Sequence, residues 1–464
     1  MGSHSSGAAK TQLPAPAQTE LSGWGANLRS PCTFVRPETP DQVMTALDRS
    51  GTVARGLGRS YGDPALNAGG QVLGMEWVDR YLAFDPKSGT LICEAGVSLE
   101  QIIETFAPRG WFPAITPGTK FVTVGGCIAN DIHGKAHHSQ GCFSNCVDAM
   151  TVLLADGSVV TASPTENEEL FRGCFGGMGL LGVILTATIR LRKIETTYFR
   201  QKSVAVENLA AMIAALDEHD QSFPYSVASI DITATGRNLG RGVLSLGEHA
   251  NLAELPPALA KDPLRTAGPP KIAVPFELPE LTLNRLSIRA VNALIQAMLR
   301  YAPQYGLYES FFYPLDKIAH WNRGYGRRGF TQYQFVIPLE NGTERMHEIL
   351  TAIISAGELP FLNILKRMGK QGPGLLSFPT EGYTLAIDFP IRSSTVELLR
   401  KLDAMVLDAG GRIYLGKDAY VTPEMFAKMY PDAIDRWFEL KHRYDPDNVF
   451  TSDLGRRVGL VPAG

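Results

Sequence analysis

The 464-residue sequence contains no run of about 18 apolar residues, so no membrane-spanning helix is expected. Cysteine is scarce. Cys32, Cys93, Cys127, Cys142, Cys146 and Cys174 all lie in the first 174 residues, and none forms a C-x-x-C pair. The Cys142/Cys146 spacing has no second pair to match it, which argues against a zinc site and leaves six reduced thiols. An excess of charge is also lacking. The 44 Lys and Arg against 47 Asp and Glu give a net charge of -3, without the basic surplus of a nucleic-acid-binding protein. The opening "MGSHSSGAAKTQLPAPAQ" has no apolar h-region, so no Sec signal is expected, and the first dozen residues are expected to be disordered. No internal repeat or low-complexity tract stands out.

What is present is the composition of a soluble globular enzyme, 44% hydrophobic and 20% charged, long enough for two or three domains. Up to about residue 195 the pattern is of short strands, turns and a few helices. "DQVMTALDRS" (41–50) predicts a helix that opens after Pro40. "SLEQIIETFAPRG" (98–110) predicts another, with Ser98 as N-cap, Gln101 three residues on and a glycine to end it. "AMTVLLADGSVVTAS" predicts a hairpin turning at Asp156-Gly157, and "GVILTATIRLRKIET" a long strand with alternating faces. From 196 to about 410, helical "VENLAAMIAALDEHD" and "STVELLRKLDAMVLDAG" alternate with "YQFVIPL" and "TLAIDFPI". That predicts an antiparallel sheet covered by helices on one face. The segment 268–292 is rich in Pro and Leu. It reads either as a packed irregular excursion or as a mobile apolar lid facing a greasy substrate.

"GMGLLG" (177–182) satisfies G-x-G-x-x-G, but it leads into the β-branched "VILTATIRL", not into a helix. A dinucleotide fingerprint needs the helix N-terminus for its pyrophosphate, so this reading fails. "ARGLGRSYGDPALN" (54–67) is more informative: Gly56, Gly58 and Gly62 frame a turn whose backbone N–H groups can point inward at a diphosphate. "PGTKFVTVGGCIANDIHGK" (117–135) supplies a second such turn, with Gly125-Gly126 followed by Asp131, His133 and Lys135. Two glycine-rich turns in one half of the chain fit a ligand clasped from both sides. His133 and His137 stand four apart, but the preceding glycines argue against a helix and no H-E-x-x-H follows, so no metal is expected.

In order, "RGLGRSYGD", "PGTKFVTVGGCIANDIHGKAHHS", "GGMGLLGVI" and a closing "YDPDNVF" resemble the FAD-linked oxidases of the vanillyl-alcohol oxidase type. "FFYPLDKIAHWNRGYGRRGFTQYQFVIP", "FLNILKRMG" and "GGRIYLGKDAY" extend the likeness, which runs from about residue 20 to the C-terminus. The resemblance implies an α+β fold of two domains: a discontinuous FAD-binding domain (15–195 and 412–464) around an antiparallel-sheet substrate domain (196–411). It places FAD against Ala54, Arg55, Gly56, Leu57, Gly58, Arg59, Ser60, Tyr61, Gly62, Asp63 and Pro64. The second turn would contribute Gly118, Thr123, Val124, Gly125, Gly126, Asn130, Asp131, Ile132 and His133, with Ile184 and Tyr414 completing the site. Other members attach FAD covalently through a histidine in the first glycine turn. Tyr61 stands there in this chain, so non-covalent FAD is implied.

The implied chemistry is hydride transfer from a secondary alcohol to FAD, with removal of the hydroxyl proton. The resemblance singles out Lys417 as the cation near the hydroxyl or the flavin, and Lys366 as a phosphate or sugar contact. Ordinarily a lone lysine is a solvated surface charge. Desolvation would lower the Lys417 pKa far enough for base work. Gln332 and Gln334 flank Tyr333 on a strand, so both amides share one face and can reach sugar hydroxyls. His133, Tyr61 and Lys135 join this catalytic and substrate group.

Departures from the resembled pattern fall on the substrate side. Ala386 replaces a cysteine, Thr384 an asparagine, Ser229 a tryptophan and Phe312 a tyrosine, although Tyr313 is adjacent. Inhibitors that trap the cysteine covalently would therefore not attach. The implied reaction is oxidation of the 2′-hydroxyl of a polyprenylphosphoryl-β-D-ribose to the keto sugar. A partner NAD(P)H-dependent keto-reductase would then complete epimerisation to the arabinose donor of cell-envelope glycans. A soluble alditol, sugar or aldonolactone oxidase using oxygen is the alternative, and a flavin-free binding protein on the same fold a third. The expected location is the cytoplasm or the surface of the inner membrane, with the side of the membrane left open.

Overall fold

The computed structural model describes residues 13, 15–270, 272–358, 360 and 362–463. The expectation for the first dozen residues lies outside these, as do Lys271 of the apolar segment and Phe361 of "FLNILKRMG".

Two sheets occupy the first part of the chain. A four-stranded sheet has the order Ala17–Ser22, Arg29–Val35, Gln71–Gly74, Thr52–Arg55, antiparallel at the first pair and parallel at the others. A six-stranded antiparallel sheet is centred on Val183–Lys193, which pairs with Thr90–Glu94, Val147–Leu153 and Trp111–Pro113. Local signals form as the sequence predicts. Ser98 and Gln101 close a reciprocal capping box on Leu99–Phe106, and Gly110 follows at φ 80°. The first helix spans Pro40–Ala46 and stops short of the expected end at Ser50; Thr39, one residue before the proline, caps it.

One correction bears on the site. Gly125 and Gly126 form no turn. They lie in the first turn of a short helix, Val124–Ala129, whose cap Thr123 accepts a hydrogen bond from Gly126 N at 3.2 Å. Their value is lack of bulk, since a Cβ on Gly125 would stand 3.0 Å from that of Ala95.

The third sheet has eight strands in the order Tyr305–Leu307, Tyr198–Val206, Gly242–His249, Tyr225–Ile230, Asn363–Met368, Gly382–Pro390, Phe330–Pro338, Arg412–Ile413. Every pairing is antiparallel. Alternation divides its residues cleanly. Leu244, Leu365, Leu385, Ile387 and Phe335 point into the core with the helices Leu209–His219, Gly342–Ser355 and Thr395–Asp408. Gln332, Gln334, Ala386, Ile364, Ser229 and Ser245 point the other way, into a cavity. Helices do not cover one face alone. The Arg285–Arg300 helix lies across the cavity side, where Gln296 Nε2 donates to Ser229 O at 3.1 Å and Ser203 Oγ donates to Leu299 O at 2.7 Å. The apolar 268–292 segment thus ends inside a regular helix, capped by Asn284 with Ser287.

The chain's last part returns to the first two sheets. Thr52 forms a parallel bridge with Phe450. Arg457 grips Asp63 and Asp418, each at 2.8 Å, and buried Lys441 Nζ donates to Leu180 O and Phe450 O, both at 2.8 Å, and to Asp445. Arg412–Ile413, by contrast, completes the eight-stranded sheet beside Phe330–Pro338.

Candidate functional site: one cavity between glycine loops and a sheet

A cavity of about 1310 Å³ runs between the glycine-rich segments and the exposed face of the eight-stranded sheet. It exceeds the roughly 300–1,000 Å³ of a drug-sized ligand site, leaving room for a large cofactor and a substrate together. Ala54, Gly56, Leu57, Gly58, Arg59, Ser60, Tyr61 and Pro64 line one wall, with Gly118, Thr123, Gly125, Gly126, Asn130, Ile132, His133, Ile184 and Tyr414. Lys135, Gln332, Gln334, Phe312, Lys366, Ala386, Ser229 and Lys417 line the other.

Five positions from the first wall and one from the second do not reach the cavity, each for a visible reason. The Arg55 guanidinium turns away to donate to Ser22 O at 2.7 Å and Ala65 O at 3.1 Å. Gly62 packs its backbone on Asp418, where a Cβ would fall 1.9 Å from the carbonyl oxygen. Asp63 is held by Arg457. Val124 is core. Asp131, at φ 39°, accepts from Ser144 N at 2.9 Å, Ser144 Oγ at 3.1 Å and Ser377 Oγ. Burial lifts its carboxyl to about 6. Thr384 is fully buried and donates to Phe335 O at 2.7 Å, so it acts on the cavity only by accepting from Gln334 Nε2 at 3.2 Å.

Two linked networks make up the polar floor. In the first, Lys417 Nζ donates to Gln332 Oε1, while Gln332 Nε2 donates to Asp388 Oδ1. Tyr325 OH donates to Asp388 Oδ2 at 2.9 Å. The ammonium also stands 4.2 Å from the ring centroid of Tyr61, a cation–π distance. Enclosure pulls Lys417 down to about 8, with the Asp388 carboxylate opposing the fall. Burial raises Asp388 to about 6 and holds the Tyr61 phenol well above its ordinary value. In the second network Gln334 Nε2 meets His133 Nε2 at 2.9 Å. With the amide donating, the neutral imidazole carries its proton on Nδ1. Burial, reinforced by Lys366, keeps this imidazole well below its ordinary pKa. Enclosure also brings Lys135 and Lys366 to about 7 each, Lys366 adding to the fall at Lys135 and Lys417 to that at Lys366. Lys135 Nζ donates to Phe311 O.

The cavity fits FAD by its own features. Arg59 Nε, Asn130 Oδ1 and His133 Nδ1 are buried without a hydrogen-bond partner among the described residues, and all three residues line it. Such groups are ordinarily satisfied, so they mark a polar ligand's edges. Gly118 and Gly179 have nothing within 4 Å of an added Cβ, so the backbone is open to a close-lying group. Among the described residues, no cluster of His, Cys, Asp or Glu suits a metal. His137 is engaged instead, with Cys142 Sγ at 3.2 Å from Nε2 and Gly369 N donating to Nδ1 at 3.0 Å.

Several lining residues were missed from the sequence. Met178, Gly179 and Gly182 belong to "GMGLLG", which was set aside as a dinucleotide fingerprint yet still contributes to the wall. Trp24 lies under the Arg59 guanidinium at 4.0 Å, held there by its backbone N–H donating to Ser60 O at 2.8 Å, a contact between distant segments that no local signal encodes. Asp388, which does not line the cavity but holds Gln332, sits two residues from Ala386 on the same face, a period that does point to it.

The fold and this cavity define an FAD-linked oxidase of the vanillyl-alcohol oxidase type, an α+β flavoprotein with a cofactor domain and a sheet-based second domain. Comparison with known families agrees. A model described as an FAD binding domain matches residues 31–163, and one for D-arabinono-1,4-lactone oxidase matches residues 327–458. The chain is similar to the decaprenylphosphoryl-beta-D-ribose oxidase of Mycolicibacterium smegmatis, 38% identical over 460 residues, covering 97% of this chain and 99% of the relative. It is also similar to the L-gulono-1,4-lactone dehydrogenase of Mycobacterium tuberculosis, 23% identical over 94% of this chain and 98% of that one. The chain belongs to the decaprenylphosphoryl-β-D-ribose oxidase family of FAD-dependent oxidoreductases.

Proposed function

We propose that this enzyme oxidises the 2′-hydroxyl of a polyprenylphosphoryl-β-D-ribose to the 2′-keto sugar, the first half of epimerisation to an arabinose donor for cell-envelope glycans. The observation that carries this reading is the meeting, in one cavity, of an FAD-fitting wall, three enclosed lysines and an apolar outer stretch. FAD, when bound, supplies the hydride acceptor.

The residues named above would do the rest. Lys417, part-neutral near pH 8, accepts the hydroxyl proton, and Gln332 fixes its direction. Lys135 and Lys366 provide positive charge for a phosphodiester; the Gln334 amide hydrogens are taken by His133 and Thr384, which leaves the His133 Nδ1–H as the donor this pair offers to a ligand. Tyr61 replaces the histidine that other members use for covalent attachment. Its phenol is held protonated, which supports non-covalent FAD. The division into 15–195 plus 412–464 around 196–411 is supported by the Arg457 and Lys441 contacts, with Arg412–Ile413 as the splice between sheets. The keto product calls for a separate NAD(P)H-dependent reductase. Among the described residues no helix is long and apolar enough to cross a membrane.

A second reading, a soluble aldonolactone or polyol oxidase, is favoured by the match over residues 327–458 and by Ala386 and Ser229 on the cavity wall. Anaerobic flavin bleaching separates the two. Bleaching by farnesylphosphoryl-β-D-ribose, but not by xylitol, free ribose or an aldonolactone, is expected. Bleaching by the soluble compounds alone would overturn the lipid-linked reading.

A further inference from the structure

Exposed large apolar side chains are not spread evenly. Of the fifteen among the described residues, seven lie between 272 and 301: Ile272, Phe276, Leu281, Leu286, Leu294, Met298 and Tyr301. Thirty residues of the chain thus carry nearly half of them. Scattered exposed apolar residues need no explanation, whereas a concentrated patch marks an interaction surface.

The patch belongs to one edge of the Arg285–Arg300 helix and the segment leading into it. On the sheet side, Ile288 and Asn292 are buried, and Val291, Ile295 and Leu299 line the cavity. Away from the sheet Leu286 is 79% exposed and Leu281 just ahead 84%, and Tyr301, the residue that ends the helix, is 79% exposed. Leu294, Met298 and Tyr301 do both: they line the cavity and stand in solvent. The apolar lining therefore continues through the mouth onto the outer surface without a polar break at these positions. Across 272–301 the chain carries two glutamates, Glu277 and Glu280, both ahead of the helix, and three arginines; from Asn284 to Tyr301 there is no acidic residue, and the side chains of Arg289 and Arg300 are exposed. An amphipathic helix with basic flanks and an interfacial tyrosine is the pattern of a helix lying in the headgroup plane. At about 1.5 Å per residue its sixteen residues extend about 24 Å along such a plane.

We propose that the outer edge of the Arg285–Arg300 helix, with the apolar side chains of 272–283, docks on an anionic lipid bilayer and sets the cavity mouth at headgroup level. A second copy of the chain would equally cover apolar area, but like arginines would then face each other across a twofold contact. Charge complementarity favours phospholipid. The inference deepens the lipid-linked reading and takes its purpose from it, while its observations are those of the surface alone.

The test uses the flavin-loaded protein and vesicles without substrate. Leu281 and Leu286 do not line the cavity, so L281D/L286D removes patch and not site. The parent protein is expected to cosediment with mixed phosphatidylcholine–phosphatidylglycerol vesicles, and L281D/L286D and R289E/R300E each to weaken partitioning by about tenfold or more. Unchanged thermal unfolding and unchanged bleaching by a soluble short-chain substrate would show that both variants are intact. Partitioning that is absent in the parent protein, that is equal in the variants, or that is indifferent to phosphatidylglycerol would overturn the proposal. So would a concentration-dependent dimer that L281D/L286D dissolves. Vesicle binding with no bleaching by lipid-linked ribose would sink the substrate reading and leave the docking surface standing.

Discussion

The two walls of the cavity are built on different logics. The glycine wall is made of backbone. Its positions are defined by what a Cβ would strike, as at Gly56, where an added Cβ would lie 2.2 Å from Thr123 Oγ1. The sheet wall is made of side chains on alternate positions of antiparallel strands, and a one-residue slip would exchange Gln332 and Gln334 for Tyr333. The first wall tolerates no added atom at Gly56 or Gly62, is open at Gly118 and Gly179, and presents few polar side chains to a ligand, chiefly Arg59, Asn130 and His133. The second tolerates changes of side chain, as Ala386 and Ser229 illustrate, provided that the register holds. Cofactor recognition and substrate choice can therefore diverge independently in this fold.

Substitutions on each wall break that comparison in different ways. The largest effect is expected on the sheet wall's partner Lys417. Lys417→Ala is predicted to slow flavin reduction by about 10²-fold or more, read by anaerobic stopped flow, with FAD still bound. A loss below about tenfold would move proton removal to another group. On the glycine wall, Gly62→Ala forces a methyl against the Asp418 carbonyl and should cost on the order of 1–3 kcal/mol in thermal unfolding. Gly118→Ala, with open space around it, should leave the melt of the cofactor-free protein unchanged and weaken FAD retention on dialysis. If the two variants behave alike, the wall is not distinguished by packing.

A finer effect is expected from Asp388→Asn. The carboxylate opposes the fall of the Lys417 pKa, so removing its charge lets that pKa drop further. The limb of the kcat/KM profile that reports Lys417 should then move to lower pH by about one unit. A limb that stays in place would make Asp388 purely structural. Separate from these effects is the linkage to stability. Folding lowers Lys135 and Lys366 from 10.5 to about 7, so between those values the unfolded chain binds more protons and stability rises with pH. Asp131 and Asp388, raised from 3.8 to about 6, act in the opposite sense in that lower window. The melting temperature of the cofactor-free protein should accordingly be higher at pH 9 than at pH 7, and a flat or falling trend would contradict the lysine shifts.

The sequence was most legible where structure is local. Ser98 and Gln101 satisfy each other across a single turn, and their pairing needed nothing from the rest of the chain. The glycine segments were legible as a cradle, though not in conformation: Thr123 turns Gly125-Gly126 into a helix start. Asn284 and Ser287 carry an equally local capping signal. It went unread because Pro275 and Pro279 made the whole stretch look interrupted. What stayed hidden depends on distant partners. Nothing near Thr384 says that its hydroxyl is spent on Phe335 O, and nothing near Asp63 announces Arg457. Those contacts follow from register and chain return, which no short window contains.

The salt bridge from Arg457 to Asp63 spans 394 positions. At about 5–20 residues per second, a ribosome needs roughly 20–80 s to deliver the arginine after the aspartate has emerged. During that interval the 54–64 loop lacks Arg457 and, for most of it, Lys417 over Tyr61, while Thr52 lacks its bridge to Phe450 and Leu180 the ammonium of Lys441. The cradle is therefore completed only by the final stretch of synthesis. Nascent chains paused anywhere before it should be the species most dependent on chaperones and least able to retain flavin.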